Sequence, residues 1–102
     1  MDMNDLMMQA QQMQLELARA QEEVNGMTFS ATAGGGMVTA TALGNGTIES
    51  IEINPDAVDP DDIEMLQDMV VAAVNGALRG ISEAGEQRMA AVTGGLNLPG
   101  LF

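Results

Sequence analysis

The stretch Ala33-Gly-Gly-Gly-Met-Val-Thr-Ala-Thr-Ala-Leu-Gly-Asn-Gly-Thr-Ile-Glu-Ser-Ile-Glu-Ile-Asn-Pro-Asp-Ala-Val-Asp-Pro60 decides the fold of this 102-residue chain. It contains two alternating runs rich in Val, Ile and Thr, a pattern typical of β-strands. Gly44-Asn-Gly46 between the runs is typical of a hairpin turn, because glycine tolerates the positive φ that tight turns require. The stretch therefore predicts antiparallel strands that follow one another along the chain.

Three strands are predicted, at residues 27–33, 37–43 and 47–54. The first alternates apolar and hydroxyl side chains, so it is expected to have one buried and one solvent-exposed face. The second alternates Val38, Ala40 and Ala42 against a face made of Met37, Thr39, Thr41 and Leu43. In the third strand Ile51 and Ile53 are predicted to point inward, with Glu52 outward. Ile48 falls on the other parity, which indicates a bulge or an edge contact at that point.

A long helix is predicted on each side of the strands. The first runs from Asn4 as N-cap to about Val24, with Gly26 as its C-cap. The second is predicted to begin with Asp59 as N-cap and Pro60 at the first helical position. The chain is thus expected to be an α+β domain of order α-β-β-β-α, with a three-stranded antiparallel sheet. This domain is predicted over residues 1–92, and residues 93–102 are predicted to form a flexible tail because they lack helical signals.

The second helix carries two neighbouring apolar stripes, and one small sheet is not expected to cover both. A homodimer is therefore predicted, with interface residues Met65, Met69, Val70, Ala73 and Gly76. Gly76 and Gly80 stand one helical turn apart, and each costs about 1 kcal/mol relative to alanine in a helix. That cost indicates a neighbour that needs the space.

Charge is the strongest compositional feature of the chain. Fifteen acidic side chains face three arginines and no lysine, and the formal net charge is −12. Such a surface repels phosphate backbones and anionic membranes at long range. Arg19, Arg79 and Arg88 are the only basic side chains that could bind phosphate. The competing expectation is that at least two of them pair with acids nearby, as Arg19 could with its neighbours on the first helix.

Several function classes lack the residues they require. The chain has no Cys, His, Tyr or Lys, so an enzyme, a metal site and a cofactor site are all unexpected. The glycines at 34–36 are not followed by the Lys and Ser/Thr of a phosphate loop, and the acids at 56–64 do not have the spacing of a calcium loop. No secretory signal and no apolar run of membrane-spanning length is present, so a cytoplasmic location is expected.

Several segments along nearly the whole chain resemble the YbaB/EbfC family: Leu6–Gln14, Gly36–Val38, Ile51–Pro55, Asp62–Ala73 and Met89–Pro99. The resemblance implies a three-stranded antiparallel sheet with long helices, assembled as a tweezer-shaped homodimer. It also implies a bacterial nucleoid-associated protein that binds DNA. Any contact with DNA is expected to run through Arg79 or Arg88, with Arg19 as the weaker candidate, since these arginines lie on the helices that the resemblance places near DNA.

Composition favours a second hypothesis, an acidic dimeric adaptor that binds a protein partner, or its basic segment, instead of DNA. A dimer would carry a formal charge of −24, twice the −12 of one chain. Non-specific DNA affinity scales with the number of phosphates that a protein neutralises. The sequence therefore predicts that any DNA binding is weak.

Overall fold

The computed structural model describes residues 2–96. The elements follow in the order α1 (Met3–Gly26), β1 (Thr28–Ala33), β2 (Val38–Leu43), β3 (Ile48–Ile53), a 3₁₀ turn (Pro55–Ala57) and α2 (Ile63–Leu96). This order confirms the predicted α-β-β-β-α architecture, while the homodimer stays a prediction. The helix α2 continues to Leu96, past the predicted start of the tail at residue 93. The rest of the predicted tail, residues 97–102, lies outside the described residues.

The three strands form one antiparallel sheet in the order β1-β2-β3, with β2 in the centre. The turn between β1 and β2 contains Gly34, Gly35 and Gly36, whose φ angles of 64°, 69° and 93° all lie in the region that favours glycine. Ala40 pairs with Ile51 and Ala42 pairs with Ile48, so the register shifts between these two pairs. This shift confirms the bulge expected near Ile48.

The core lies between β2 and α2. Val38, Ala40 and Ala42 of the central strand are fully buried and form one cluster with Ala73, Ala77 and Ile81 of α2. Because most of these side chains are small, the helix can lie close to the sheet. The glycines of α2 extend this close contact toward β1, where the Cβ of Ala31 lies 3.1 Å from the position that a Cβ on Gly76 would take. The neighbour predicted from the glycine spacing is therefore β1 of the same chain.

Strand β3 is covered less than the sequence predicted. Ile51 and Ile53 pair with Ala40 and Val38, so their side chains project from the same face as the core residues of β2. They nevertheless stay 43% and 40% exposed, respectively, and their predicted burial is wrong. The reason is that α2 packs across β1 and β2 and hardly touches β3.

The beginning of α2 differs from the prediction by one turn. The side chain of Asp62 accepts a hydrogen bond from the backbone N–H of Met65 at 3.2 Å, so Asp62 and not Asp59 is the N-cap. Asp59 instead accepts from the backbone N–H of Asp61 at 2.9 Å and shapes the turn that leads into the helix. The prediction gave Asp59 the role of N-cap, whereas in the structure Asp62 caps the helix and Asp59 stabilises the preceding turn.

Helix α1 also begins and ends beyond its predicted limits. Its N-cap is Asp2, whose side chain accepts from the backbone N–H of Asp5 at 2.9 Å, and not Asn4. At the other end Gly26 is the last helical residue and Met27, in extended conformation, is the C-cap. The predicted glycine cap at residue 26 is therefore wrong.

Helix α1 runs antiparallel to the last third of α2. Val24 packs near Gly85, Glu23 contacts Arg88, and Ala20 lies beside Ala91. Residue numbers thus decrease along α1 as they increase along α2. At this register the first half of α1 lies beyond the last described residue of α2. Four large apolar side chains of this half are exposed: Met3, Leu6, Met7 and Met8.

Candidate nucleic-acid interface

A groove of about 340 Å³ lies between α1 and α2 and contains two of the three arginines. Arg19 enters it from α1 and Arg88 from α2, and Glu16 and Glu23 line the same groove. The antiparallel packing of the two helices brings these four side chains together, although the two arginines stand far apart in the sequence. We call this surface, lined by Glu16, Arg19, Ala20, Glu23, Arg88, Ala91 and Val92, the arm groove.

Arg88 is held by an acid of the other helix. Its Nε and one terminal nitrogen both lie 2.6 Å from the same carboxylate oxygen of Glu23. The side chains remain 41% and 56% exposed, respectively, so water screens the pair. An exposed ion pair of this kind contributes at most about 1 kcal/mol to stability. Its chemical consequence is larger, since it neutralises one of the few positive charges on the protein.

Arg19 and Arg79 are exposed and make no ion pair within residues 2–96. The expectation that at least two arginines pair with acids is therefore wrong, and so is the predicted pairing of Arg19 on its own helix. Water competes effectively for such pairs on an exposed helix face. Arg79 lies on α2 away from the arm groove, so the structure brings Arg19 and Arg88 together and leaves Arg79 apart.

The arm groove has no excess of positive charge. Its two arginines are balanced by two glutamates, and the chain as a whole carries −12. A phosphate entering the groove would meet guanidinium donors with the geometry that phosphate prefers, but it would also meet carboxylates. The geometry thus permits phosphate contact and makes it weak.

The predicted dimer-interface residues do not share one surface. Met65 and Met69 line a groove beside Ala33 and Gly34, at the β1 side of α2. Ala73 is fully buried against the sheet of its own chain. Val70 also packs on the core, on the flank of α2 away from Met65. Their role in an interface stays a prediction. Of these residues, Met65 is exposed and accessible to a second subunit, whereas Ala73 is covered by its own chain.

Sequence reasoning missed a second apolar surface beside β3. Ile51 and Ile53 project from the face of the sheet on which α2 packs, and Ile63, Val70 and Val74 share the flank of α2 opposite Met65. We call these five residues the β3 flank. Ile63 is 45% exposed, similar to the two strand isoleucines. The available signal was Ile48: its parity indicates a bulge, which places all three isoleucines of β3 on one face of the strand.

Other kinds of site find no support in the described part of the chain. Among residues 2–96 no three acidic, His or Cys side chains are grouped so that they could hold a metal ion. The helices described here are also too short or too polar to cross a membrane.

Comparisons with known proteins agree on one family. The family model described as the YbaB/EbfC DNA-binding family matches residues 1–96. A nucleoid-associated protein of Thermoanaerobacter pseudethanolicus is 56% identical over 101 residues, which cover 99% of this chain and 91% of the relative. Nucleoid-associated proteins of Clostridium novyi and Pelotomaculum thermopropionicum are 51% and 50% identical, respectively, and the matches cover 100% and 99% of this chain and 90% and 96% of the relatives.

A solved structure supports the fold. The crystal structure of an uncharacterized protein from Helicobacter pylori superimposes with a TM-score of 0.68 at 23% sequence identity, covering 85% of this chain and 91% of that one. At this identity the likeness concerns the fold alone.

Proposed function

Because the chain belongs to the YbaB/EbfC DNA-binding family, we propose that it is a nucleoid-associated protein that contacts DNA through the arginines of its two helices. The observation that carries the proposal is the arm groove, which places Arg19 and Arg88 on one surface. Guanidinium groups bind phosphate oxygens through several donors at once, and such contacts supply most of non-specific DNA affinity. The names of the family and of the relatives describe DNA binding and nucleoid association and not an enzymatic activity.

The proposed binding is weak and insensitive to base sequence. Arg19 and Arg79 are the arginines without an ion pair in the described structure, and the chain carries fifteen acidic side chains. Few phosphates are therefore neutralised, and few counterions are released on binding. We expect the slope of log affinity against log salt concentration to be about −1 to −3. A role within the nucleoid agrees with such binding, because DNA is concentrated there.

The test is fluorescence anisotropy of a labelled duplex of about 30 base pairs with the purified full chain, between about 50 and 200 mM salt. Binding at the low end, with a shallow slope and little preference between unrelated duplexes, supports the proposal. No binding at about 50 mM salt overturns it and returns the acidic adaptor as the better hypothesis.

The unit that binds DNA is proposed to be a homodimer. A chain of 102 residues buries only about 60–65% of its unfolded surface, so a monomer gains little stability from its core. The β3 flank leaves large apolar side chains half-exposed along a strand edge that lacks a partner within residues 2–96. Contact with a second copy would remove this surface from water and cover the edge. A second copy also doubles the number of arginines available to one duplex.

A further inference from the structure

We propose that Glu23 sets the DNA affinity of this protein by competing with phosphate for Arg88. The proposal rests on the proposed DNA-binding function and identifies a residue that limits it. Arg88 directs two of its nitrogens at one oxygen of Glu23, both at 2.6 Å, so one edge of its guanidinium is occupied and its charge is neutralised. Glu23 thus acts as an internal substitute for a DNA phosphate.

The exposure of the pair makes the exchange feasible. The side chains of Arg88 and Glu23 are 41% and 56% exposed, respectively, so a phosphate can approach without opening the core. Exposed ion pairs are only slightly more stable than the separated, hydrated groups. A phosphate can therefore take the place of the carboxylate at Arg88. The exchange leaves Glu23 unpaired beside the DNA. The repulsion between its carboxylate and the phosphates then reduces the binding free energy gained at Arg88.

Removing the charge of Glu23 should convert the arm groove from neutral to positive. The groove holds Arg19 and Arg88 against Glu16 and Glu23. In Glu23→Gln one carboxylate is removed, while the side-chain amide can still accept a hydrogen bond from Arg88. Because Gln has nearly the same size and shape as Glu, the packing of α1 on α2 is expected to be preserved. The guanidinium of Arg88 then has no compensating charge and is free to neutralise a phosphate.

The matched control is Glu22→Gln. Glu22 is the preceding residue on α1, is exposed and makes no ion pair within residues 2–96. Both substitutions change the net charge by the same amount, so any general effect of reduced repulsion appears in both. A difference between the two variants therefore reports the release of Arg88.

The experiment measures duplex affinity by anisotropy at several salt concentrations for wild type, Glu22→Gln, Glu23→Gln and Glu23→Gln/Arg88→Gln. We expect the slope of log affinity against log salt to be steeper by about 1 to 2 in Glu23→Gln than in Glu22→Gln, because each newly neutralised phosphate adds about 0.9. The double variant should not show this increase. Circular dichroism of each variant checks that the helices remain folded.

The possible outcomes separate this inference from the function on which it rests. If wild type binds and the two single variants have equal slopes, the role of Glu23 is wrong and the DNA-binding function stands. If only Glu23→Gln binds, through Arg88, the role of Glu23 is supported and DNA binding by the native chain is overturned. If no variant binds at about 50 mM salt, both proposals are overturned.

Discussion

Phe29 of β1 lies over Gly80 of α2, and its ring occupies the space that a Cβ on residue 80 would need. This contact keeps the helix close to the sheet next to the core residue Ile81. It explains why a helix of this length tolerates glycine at that position, although glycine is a poor helix former.

We expect Gly80→Ala to destabilise the fold. Overpacking of this kind typically costs about 1–3 kcal/mol, and the higher helix propensity of alanine offsets up to about 1 kcal/mol of that. The measurement is the free energy of unfolding in urea. Gly94→Ala is the control, because no atom lies within 4 Å of the Cβ position there and alanine should be neutral or stabilising.

A double substitution distinguishes the clash from any other effect at residue 80. In a Phe29→Ala background the ring is gone, so Gly80→Ala should become neutral or stabilising. An unchanged cost in that background would show that Phe29 is not the cause.

The N-cap of α2 gives a second stability prediction. Asp62→Ala should lower the free energy of unfolding by about 1 kcal/mol, because the N–H of Met65 is left without its acceptor. Asp59→Ala removes only a turn hydrogen bond to the N–H of Asp61 and should cost less. Equal urea midpoints for the two variants, or a larger effect of Asp59→Ala, would contradict the assignment of the cap.

The sequence predicted element order and type well, because these depend on local patterns. The alternation in β2 puts Val38, Ala40 and Ala42 on one face of the strand, and this face forms the core. The burial of Ile51 and Ile53 could not be predicted in the same way. Their parity was correct, but burial of an edge strand depends on which strands the helix covers, and that is a tertiary property.

The candidate site was harder to predict than the fold for a similar reason. Glu23 and Arg88 stand 65 residues apart, and no local spacing relates them. Only the antiparallel register of α1 on α2 brings them into contact. The helix start at residue 62 was missed because several aspartates near Pro60 can each serve as a cap, and the chain uses the one that leaves Pro60 in a turn.

The homodimer can be tested at the β3 flank. Ile51→Lys places a charge on the exposed apolar face and should dissociate the dimer, since burying an unpaired charge is costly. Glu52→Lys is the control, because it changes the charge of the same strand on the opposite face. Sedimentation velocity at micromolar concentration should show a dimer for wild type and Glu52→Lys and a monomer for Ile51→Lys.

The interface predicted from the apolar stripes of α2 can be distinguished experimentally from one at the β3 flank. Met65 lies on the other flank of α2 and is 57% exposed, so Met65→Asp should leave the chain folded. Dissociation by Met65→Asp but not by Ile51→Lys would place the interface at the groove beside the β1–β2 turn. A wild-type chain that sediments as a stable monomer would contradict both surfaces.

The three arginines should contribute unequally to DNA binding. Arg19 and Arg79 make no ion pair in the described structure, whereas Glu23 already neutralises Arg88. We therefore expect Arg19→Gln and Arg79→Gln to weaken binding and to make the salt slope shallower by about 1 for each phosphate that the variant no longer neutralises. Arg88→Gln should have the smallest effect on the slope, although it removes an equal formal charge. Titration of each variant with the same duplex at several salt concentrations gives these slopes, and urea unfolding checks that the fold stays intact without the ion pair to Glu23. A largest effect from Arg88→Gln would mean that the ion pair opens fully on DNA and that Glu23 does not restrain it.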